Sequence, residues 1–415
     1  MAELYDIKEE VEKVILVAVA SNDGDDTAES VDELEELVKT AGAETVAKVI
    51  QNREKVHPGT YIGKGKIEEV ATLAFELGAT GIICDDELSP AQLKNLEDAL
   101  QMKVMDRTMV ILDIFAQHAS TREGKIQVEL AQLKYRSTRL IGMRNSLSRL
   151  GGGIGTKGPG EKKLEIDRRL IKDRITMLNQ ELNEIKKNRE VTRQLRSKNP
   201  IPVIAIVGYT NAGKSTLLNY MTNAEVLEAD MLFATLDPTT RNLALESGQQ
   251  VLVTDTVGFI RKLPHHLIDA FRSTLEEAKY ADMILHVVDA SNPHAYKQMH
   301  IVYETLKQLQ VTDKTIITVF NKQDMVESEE PMKDLKADKT VRISAKSGDG
   351  VPELLDIIEE ILRNQKTLIE HTFPYQDAGN IQLIRKYGQL LTEEYREDGI
   401  YVKAYVPKDI AHRIL

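Results

Sequence analysis

The feature that most restricts how this chain can fold is an apolar run followed at once by a glycine-rich loop. Residues 201–207 read IPVIAIV, the continuous apolar pattern of a buried strand. Residues 208–216 read GYTNAGKST, which matches G-x-x-x-x-G-K-[ST], and a helix-forming segment follows. Strand, glycine loop and helix stand in the order of a phosphate-binding P-loop, which belongs to α/β sheets. We therefore expect an α/β domain that binds a nucleotide.

Each residue type in this loop has a task in holding phosphate. Gly208 and Gly213 let backbone N–H groups converge on the phosphate oxygens, and the helix N-terminus adds its partial positive charge. Lys214 neutralises the β- and γ-phosphates, and the Ser215 hydroxyl is a ligand for Mg²⁺. The predicted phosphate-binding residues are Gly208, Tyr209, Thr210, Asn211, Ala212, Gly213, Lys214, Ser215 and Thr216. The loop alone does not distinguish ATP from GTP.

The base is selected by a motif further along the chain. After the strand pattern IITVF comes N-K-x-D, with Asp324 as its last residue. An aspartate there can accept hydrogen bonds from N1–H and N2–H of guanine, whereas adenine would leave the carboxylate unpaired. The segment SAK, which follows the strand VRI, is expected to close over the base. Guanine is therefore the predicted base, bound by Asn321, Lys322, Gln323, Asp324, Ser344, Ala345 and Lys346.

Two segments between these motifs are predicted to respond to the γ-phosphate. VLVTDTVG places Asp255 at a strand end with Gly258 three residues later, the D-x-x-G spacing that links Mg²⁺ to the γ-phosphate. FATLDPTTR offers Thr235 as the second protein ligand of Mg²⁺, with Thr239 and Thr240 as rivals. The predicted metal ligands are Ser215, Thr235 and Asp255, and the predicted catalytic residues are Lys214, Thr235 and Gly258. Further predicted nucleotide contacts are Phe233, Ala234, Leu236, Asp237, Thr256 and Val257.

The residue after Gly258 is Phe259, at the position where many GTPases carry the glutamine that orients the attacking water. An aromatic side chain cannot hydrogen-bond that water. We therefore expect slow intrinsic turnover that rises when a partner orders the switch segments or supplies a polar group.

A long basic stretch precedes the P-loop. The whole chain carries a net charge of −11, but residues 121–198 hold 20 Lys and Arg against 9 Asp and Glu, a net +11. Positions at spacings of three and four form two largely apolar runs, from Leu130 to Leu147 and from Ile171 to Ile185, and Ser137 and Arg144 interrupt the first, which predicts a short arm and not a sustained coiled coil. This period predicts two long helices packed side by side, and the short connection GGGIGTKGPGE makes them antiparallel.

That connection also matches G-x-G-x-x-G, but a dinucleotide site needs the motif to follow a strand, and here a helix precedes it. Two interpretations stay open, a flexible turn and a tip that contacts RNA. The flanking cations favour RNA, because they neutralise phosphates while glycines allow close approach. The predicted RNA contacts are Arg149, Gly151, Gly152, Gly153, Lys157, Lys162, Lys163, Arg168 and Arg169.

The two ends of the chain carry simpler patterns. From Lys13 to Arg107, β-rich runs alternate with helical segments, as in parallel sheets, and Ser30 and Ser89 are predicted N-caps. From Leu368 onward the pattern is strand, helix, two strands and a helix start, without a chemical motif. The predicted domains are an N-terminal α/β domain (1–112), a basic antiparallel two-helix hairpin with a glycine-rich tip (113–198), a Ras-like P-loop GTPase domain (199–365) and a small C-terminal α+β domain (366–415).

Composition excludes several classes of protein. The lone Cys84 rules out an intrachain disulfide or a thiolate metal cluster. No apolar stretch approaches the roughly 20 residues that cross a bilayer, and the N-terminus lacks a signal-peptide pattern. We expect a cytoplasmic protein without a membrane span, monomeric in solution.

The set GYTNAGKST, FATLDPTTR, DTVGF, NKQD and SAK, with the upstream GGGIGTKGPGE and its helices, resembles the HflX family of ribosome-associated translational GTPases. The resemblance covers roughly Lys13 to Arg363. It implies GTP hydrolysis with Mg²⁺, docking on the large ribosomal subunit and its RNA, activation by the ribosome, and splitting or rescue of stalled ribosomes under stress.

A second function shares the same motifs. It is a GTP-dependent switch that binds RNA or a protein in ribosome assembly or signalling, without splitting activity. A third, an ATP-driven RNA-remodelling enzyme, is weaker because the N-terminal domain has no P-loop of its own.

Overall fold

The computed structural model describes residues 11–21, 26–147, 159–197, 201–222, 232–233, 236–263, 277–326, 330–364 and 366–414. The chain divides into two compact units. Unit 1 comprises Met1–Asn183 with Arg261–Phe271, and unit 2 comprises Glu184–Ile260 with Arg272–Leu415.

Unit 1 contains a four-stranded parallel sheet in the order β2-β1-β3-β4. The strands are β1 (Lys13–Ala20), β2 (Glu44–Asn52), β3 (Gly81–Cys84) and β4 (Lys103–Asp106). The helices α1 (Thr27–Thr40), α2 (Lys64–Leu77) and α3 (Pro90–Leu100) connect them, and α4 (Arg107–His118) follows β4. Parallel strands need such crossovers, and the two inner strands are buried along almost their whole length. The mixed α/β class predicted from the alternating pattern is confirmed.

The two serines predicted as N-caps differ in role. Ser89 does cap α3, because its hydroxyl accepts from the Gln92 N–H at 3.3 Å and the Gln92 side chain accepts from the Ser89 N–H at 2.9 Å. The prediction for Ser30 is wrong, because α1 begins at Thr27 and Ser30 lies inside the helix. Its buried hydroxyl donates instead to Asp85 Oδ2 at 2.7 Å. A partner distant in sequence has replaced the local capping role.

Asp106 at the end of β4 fixes the next long helix, α5 (Arg122–Leu147), to the sheet. This buried carboxylate accepts from the Tyr135 hydroxyl and from the Arg139 guanidinium, both at 2.6 Å. The guanidinium of Arg139 also stacks on the Tyr135 ring at 3.2 Å from its centre. Arg139 belongs to the basic stretch 121–198, but here its charge holds the helix in place.

A second long helix, α6 (Pro159–Ser197), makes ion pairs with α5 inside unit 1. Arg122 NH2 lies 3.3 Å from Glu181 Oε2, and Arg174 Nε lies 2.7 Å from Glu129 Oε1. Arg122, at the start of α5, thus pairs with the later residue of α6, Glu181. Glu129, further along α5, pairs with the earlier residue, Arg174. None of the helices in the described ranges is long and apolar enough to span a bilayer.

Unit 2 contains a six-stranded sheet in the order β10-β9-β8-β5-β7-β6, in which only β6 and β7 pair antiparallel. The strands are β5 (Val203–Gly208), β6 (Thr239–Ala244), β7 (Gln250–Asp255), β8 (Met283–Asp289), β9 (Thr315–Asn321) and β10 (Lys339–Arg342). The helices are α7 (Lys214–Thr222), α8 (Ala295–Gln308) and α9 (Val351–Asn364). The carboxyl ends of β5, β7, β9 and β10 lie at one edge, where ligands bind in sheets of this kind.

The end of the chain adds a three-stranded antiparallel sheet in the order β11-β13-β12. Its strands are β11 (Thr367–Phe373), β12 (Gln389–Arg396) and β13 (Gly399–Val406), with α10 (Ala378–Tyr387) and α11 (Lys408–Ile414). A separate apolar cluster that includes Phe373, Ile384 and Val402 forms its core.

Candidate nucleotide-binding site

The carboxyl edge of the unit 2 sheet brings the predicted motifs together through one buried side chain. Asn321, 2% exposed at the end of β9, donates from Nδ2 to the Ala212 carbonyl at 2.9 Å. Its Oδ1 accepts from the Ala345 N–H, also at 2.9 Å. The first residue of N-K-x-D therefore joins the phosphate loop to the SAK segment.

The contact of Asn321 with the loop leaves no room for a side chain at Gly213. Gly213 has a φ of +91°, in the left-handed region, and an added Cβ would lie 2.2 Å from Asn321 Nδ2. Glycine is required at this position for both reasons. Asn211, two residues earlier, also has a positive φ, of 58°.

Lys214 begins α7 and is buried. Its ammonium donates to the Tyr209 carbonyl at 2.7 Å. Burial lowers the pKa of Lys214 to about 8, since removal from water disfavours the charged form, while nearby Asp255 opposes this in part. A bound polyphosphate would add negative charge beside the ammonium and raise that pKa.

Ser215, in the first turn of α7, and Asp255, at the end of β7, are in contact. The Ser215 hydroxyl donates to Asp255 Oδ2 at 2.7 Å. A hydroxyl and a carboxylate are hard oxygen ligands that fit Mg²⁺, which is bound in such sites by few protein groups plus phosphate oxygens. No cluster of three or more His, Cys, Asp or Glu side chains able to hold a metal occurs in the described ranges. The chemistry here therefore suits a metal shared with a nucleotide better than a protein cage.

Thr235 and Ala234 lie outside the described residues. Thr239 and Thr240, the alternative candidates for the second Mg²⁺ ligand, lie in β6. Thr239 pairs with Asp255 in the sheet register, and the Thr240 hydroxyl lies 2.9 Å from that of Thr254. The predicted contacts Phe233 and Leu236 are buried, and the Thr256 hydroxyl donates to the Ile206 carbonyl at 2.7 Å. The hydroxyl of Thr256 is thus hydrogen-bonded to the neighbouring strand β5.

The D-x-x-G glycine lies against the phosphate loop. A Cβ added to Gly258 would be 2.9 Å from Lys214 Nζ and 2.9 Å from Thr210 Cα. The next residue, Phe259, is 2% exposed, its N–H donates to the Gly208 carbonyl at 3.0 Å, and its carbonyl accepts from the Thr210 N–H at 2.8 Å. Phe259 is therefore a packing residue whose backbone polar groups are both engaged.

The base-binding residues also converge. A hydrogen bond from Ser344 lowers the pKa of Asp324, and Lys346 and Lys322 act in the same direction. The exposed carboxylate is therefore ionised at neutral pH and can accept guanine N–H groups. Lys322 has a φ of 61°, and its ammonium lies 2.7 Å from Asp289 Oδ2. Sequence reasoning missed Asp289, whose signal is its place at the end of β8, paired with Asn321 in the register.

Of the predicted RNA contacts, Arg168 and Arg169 are exposed on α6. The side chains of Lys162 and Lys163 lie outside the described part of the chain, as do Arg149, Gly151, Gly152, Gly153 and Lys157.

Family models match three successive parts of the chain: GTP-binding GTPase N-terminal at residues 28–116, GTP-binding GTPase Middle Region at 118–196, and 50S ribosome-binding GTPase at 203–322. A GTPase HflX from Lacrimispora saccharolytica is 68% identical over 410 residues, covering 99% of this chain and 97% of that protein. The chain belongs to the HflX family of GTPases. Its HflX relative from Escherichia coli K12 is 42% identical over 372 residues, covering 89% of this chain and 87% of the relative.

The identification confirms the family resemblance and the P-loop GTPase domain. This HflX-family protein is a GTPase that binds guanine nucleotides.

Nucleotide binding by this HflX-family protein should take up a proton at pH 8. In the nucleotide-free protein, Lys214 has a pKa of about 8 and is therefore half deprotonated at pH 8, whereas binding to phosphate requires the charged ammonium. We expect uptake of about half a proton per GDP at pH 8 and much less at pH 6.5, with affinity falling as pH rises through 8. Calorimetry in buffers of contrasting ionisation enthalpy measures this uptake.

Lys366 provides the matched control for that titration. Burial also lowers its pKa to about 8, and its ammonium donates to the Gln249 side chain. The variant Lys366→Gln should show the same uptake as the unaltered protein. Equal heats in all buffers at pH 8 would contradict the assignment to Lys214.

Proposed function

We propose that this protein is a Mg²⁺-dependent GTPase that binds the large ribosomal subunit, is activated by it, and splits or rescues stalled ribosomes. It acts in the cytoplasm as a monomer. The observation that carries activation by a partner is the buried Phe259, which has no polar side-chain atom and whose backbone groups are bonded to the phosphate loop. Orientation of the attacking water must then depend on groups other than the D-x-x-G neighbour.

The residues of the site divide the work along one guanosine triphosphate. Lys214 and the N–H groups of residues 208–216 bind the β- and γ-phosphates, and Gly258 N–H binds the γ-phosphate. Ser215, Asp255 and Thr235 would hold Mg²⁺, which when bound neutralises charge on the phosphates. At the other end, Asp324 accepts from guanine, and Asn321 and Asp289 hold the base-binding loop and Lys322 in place.

The basic stretch supplies the proposed RNA contact. We propose that the chain is divided into four domains, at 1–112, 113–198, 199–365 and 366–415. In the second domain, α5 and α6 form an antiparallel hairpin whose glycine-rich tip contacts ribosomal RNA. Support comes from the net charge of +11 over residues 121–198, from exposed Arg168 and Arg169, and from the description of the 203–322 family model as a 50S ribosome-binding GTPase.

Large ribosomal subunits should accelerate GTP hydrolysis under single-turnover conditions. We expect a rise of roughly tenfold or more, because ordered switch segments or a supplied polar group lower the barrier. The variant Arg168→Glu/Arg169→Glu should lose this stimulation and its salt dependence but keep the intrinsic rate. The charge-matched control Lys186→Glu/Lys187→Glu, elsewhere on α6, should lose less. Equal rates with and without subunits would end this proposal.

Sedimentation separates the two functions that share these motifs. Intact ribosomes are incubated with the protein and either GTP or a non-hydrolysable analogue, then resolved on a gradient. Loss of the intact-ribosome peak supports splitting. Co-sedimentation without dissociation supports the GTP-dependent RNA-binding switch instead.

A further inference from the structure

Tyr220 lies in α7, the helix that follows the phosphate loop, but its ring is not part of the apolar core. Its neighbours Leu217, Leu218 and Met221 belong to the core of unit 2 and are buried. The Tyr220 side chain, in contrast, is 46% exposed. Packing of the core therefore does not fix the position of this ring, and its contact with a neighbouring loop has to be judged by itself.

The tip of the Tyr220 ring lies against Gly348. This glycine belongs to the SAK loop, defined here as residues 344–350. A Cβ added to Gly348 would lie 1.9 Å from the Tyr220 hydroxyl oxygen, 2.2 Å from Cζ and 2.6 Å from Cε2. Gly348 is itself buried and has a φ of +89°. Glycine thus allows the ring to rest directly on the backbone of the SAK loop.

Gly348 is hydrogen-bonded to the residue that contacts Asp324. Its N–H donates to the Ser344 carbonyl at 2.8 Å, and the Ser344 N–H donates to the Asp349 carbonyl at 2.9 Å. The Ser344 side chain in turn hydrogen-bonds the carboxylate of Asp324. A displacement at Gly348 would therefore move Ser344, and with it the group that orients the carboxylate.

The orientation of Asp324 matters because its carboxylate is exposed. A carboxylate that is not enclosed can turn in several directions, and one fixed donor restricts it to fewer. A ligand that needs one of these directions binds more weakly in proportion to the time that the group spends in the others. The firmness with which the SAK loop holds Ser344 therefore sets part of the affinity for the base.

Given the proposed function, on which this step rests, we propose that Tyr220 is a positioning residue for recognition of guanine. Its ring packs on Gly348 and holds the SAK loop, so that Ser344 keeps the Asp324 carboxylate turned towards guanine N1–H and N2–H. The action of Tyr220 on the base runs through the SAK loop.

The test compares GDP with inosine diphosphate (IDP), which lacks the N2 amino group and offers Asp324 one donor instead of two. Tyr220→Ala removes the ring, whereas Tyr220→Phe keeps it. We expect the affinity of Tyr220→Ala to fall roughly tenfold for GDP and less than about threefold for IDP, because a poorly oriented carboxylate no longer holds both donors. Tyr220→Phe should stay within about twofold of the unaltered protein for both. Calorimetric titration measures all four values.

Tyr296→Ala is the matched control. Tyr296 is a tyrosine of the same unit that is 58% exposed, lies on α8, and accepts from the Lys333 N–H at 3.2 Å through its hydroxyl. Its replacement should leave the affinities for GDP and IDP unchanged. The same loss of GDP affinity in Tyr296→Ala would contradict a specific role for Tyr220.

Ser344→Ala tests the path from the ring to the carboxylate, because it removes the side chain that bonds Asp324. If Tyr220 acts through Ser344, adding Tyr220→Ala to this variant should lower GDP affinity by less than about twofold. A further tenfold loss would overturn the path.

The ratio of the two affinities decides between positioning and a general effect on the fold. Equal loss of GDP and IDP in Tyr220→Ala would show a general loosening of the pocket and would overturn the proposal. Unchanged affinities, or a Tyr220→Phe variant as weak as Tyr220→Ala, would overturn it too. If the unaltered protein did not prefer GDP to IDP, the role of Asp324 in the proposed function would fail, which is a separate result.

Discussion

Asp324→Asn should replace guanine-nucleotide binding by xanthine-nucleotide binding. The carboxylate would accept both N1–H and N2–H of guanine, and its lowered pKa keeps it ionised at neutral pH. An asparagine presents an N–H₂ group that would meet the guanine N2–H₂ donor to donor, whereas xanthine carries a carbonyl oxygen at that position. We expect GDP and GTP affinities to fall by roughly 100- to 1,000-fold and XDP affinity to rise above that for GDP.

Calorimetric titration with GDP and XDP measures this exchange. Asp356→Asn, which removes an exposed carboxylate from α9, is the control and should change neither affinity. Retention of GDP affinity within about threefold would show that Asp324 does not select the base. Equal loss of both nucleotides would indicate a collapsed pocket rather than altered recognition.

The parts of this site that could be predicted from sequence are those in which strand, loop and helix follow one another directly. β5, the phosphate loop and α7 are contiguous, as the order of residue types along the chain predicted. The roles of Lys214 and Ser215 in binding phosphate and Mg²⁺ stay predictions. The motifs after β7 and β9 lie at the same edge because parallel strands align their carboxyl ends. Periodicity likewise predicted the α/β class.

Contacts between residues far apart in the chain could not be predicted. Asn321 bonds to Ala212 across 109 positions, and Ser30 leaves its expected capping role for Asp85, 55 positions away. Arg139 shows the same limit, since the sequence places it only within the basic stretch 121–198, whereas the structure shows its ion pair with Asp106. Strand order is also set by long-range pairing, for which the local pattern carries no information. The division into four domains and the RNA contacts stay predictions.

Phe259 shows why burial matters to interpretation. The sequence identifies a phenylalanine where a polar residue is common, but not that the side chain is buried and that its backbone is bonded to the phosphate loop. The structure therefore adds that neither the ring nor the backbone of Phe259 has a hydrogen-bonding group left for a water.

Gly213→Ala should abolish tight nucleotide binding, although it adds a single methyl group. The left-handed φ of +91° disfavours any side chain, and the new Cβ would lie 2.2 Å from Asn321 Nδ2. Asn321 would have to move, which breaks its bonds to Ala212 and Ala345 and disturbs the phosphate loop and the base-binding segments together. We expect the GDP dissociation constant to rise about 100-fold or more, equivalent to about 3 kcal/mol.

Gly248→Ala separates backbone strain from the steric clash in that result. Gly248 also has a positive φ, of 79°, but an added Cβ would meet nothing within 4 Å. Its replacement should cost about 1 kcal/mol of stability through the backbone alone and leave GDP affinity unchanged. Calorimetry and thermal melting of both variants give the comparison. If Gly213→Ala bound GDP as tightly as Gly248→Ala, the Asn321 side chain could move aside without loss of binding. Its hydrogen bonds to Ala212 and Ala345 would then not be needed to hold the phosphate loop and the base-binding segments together.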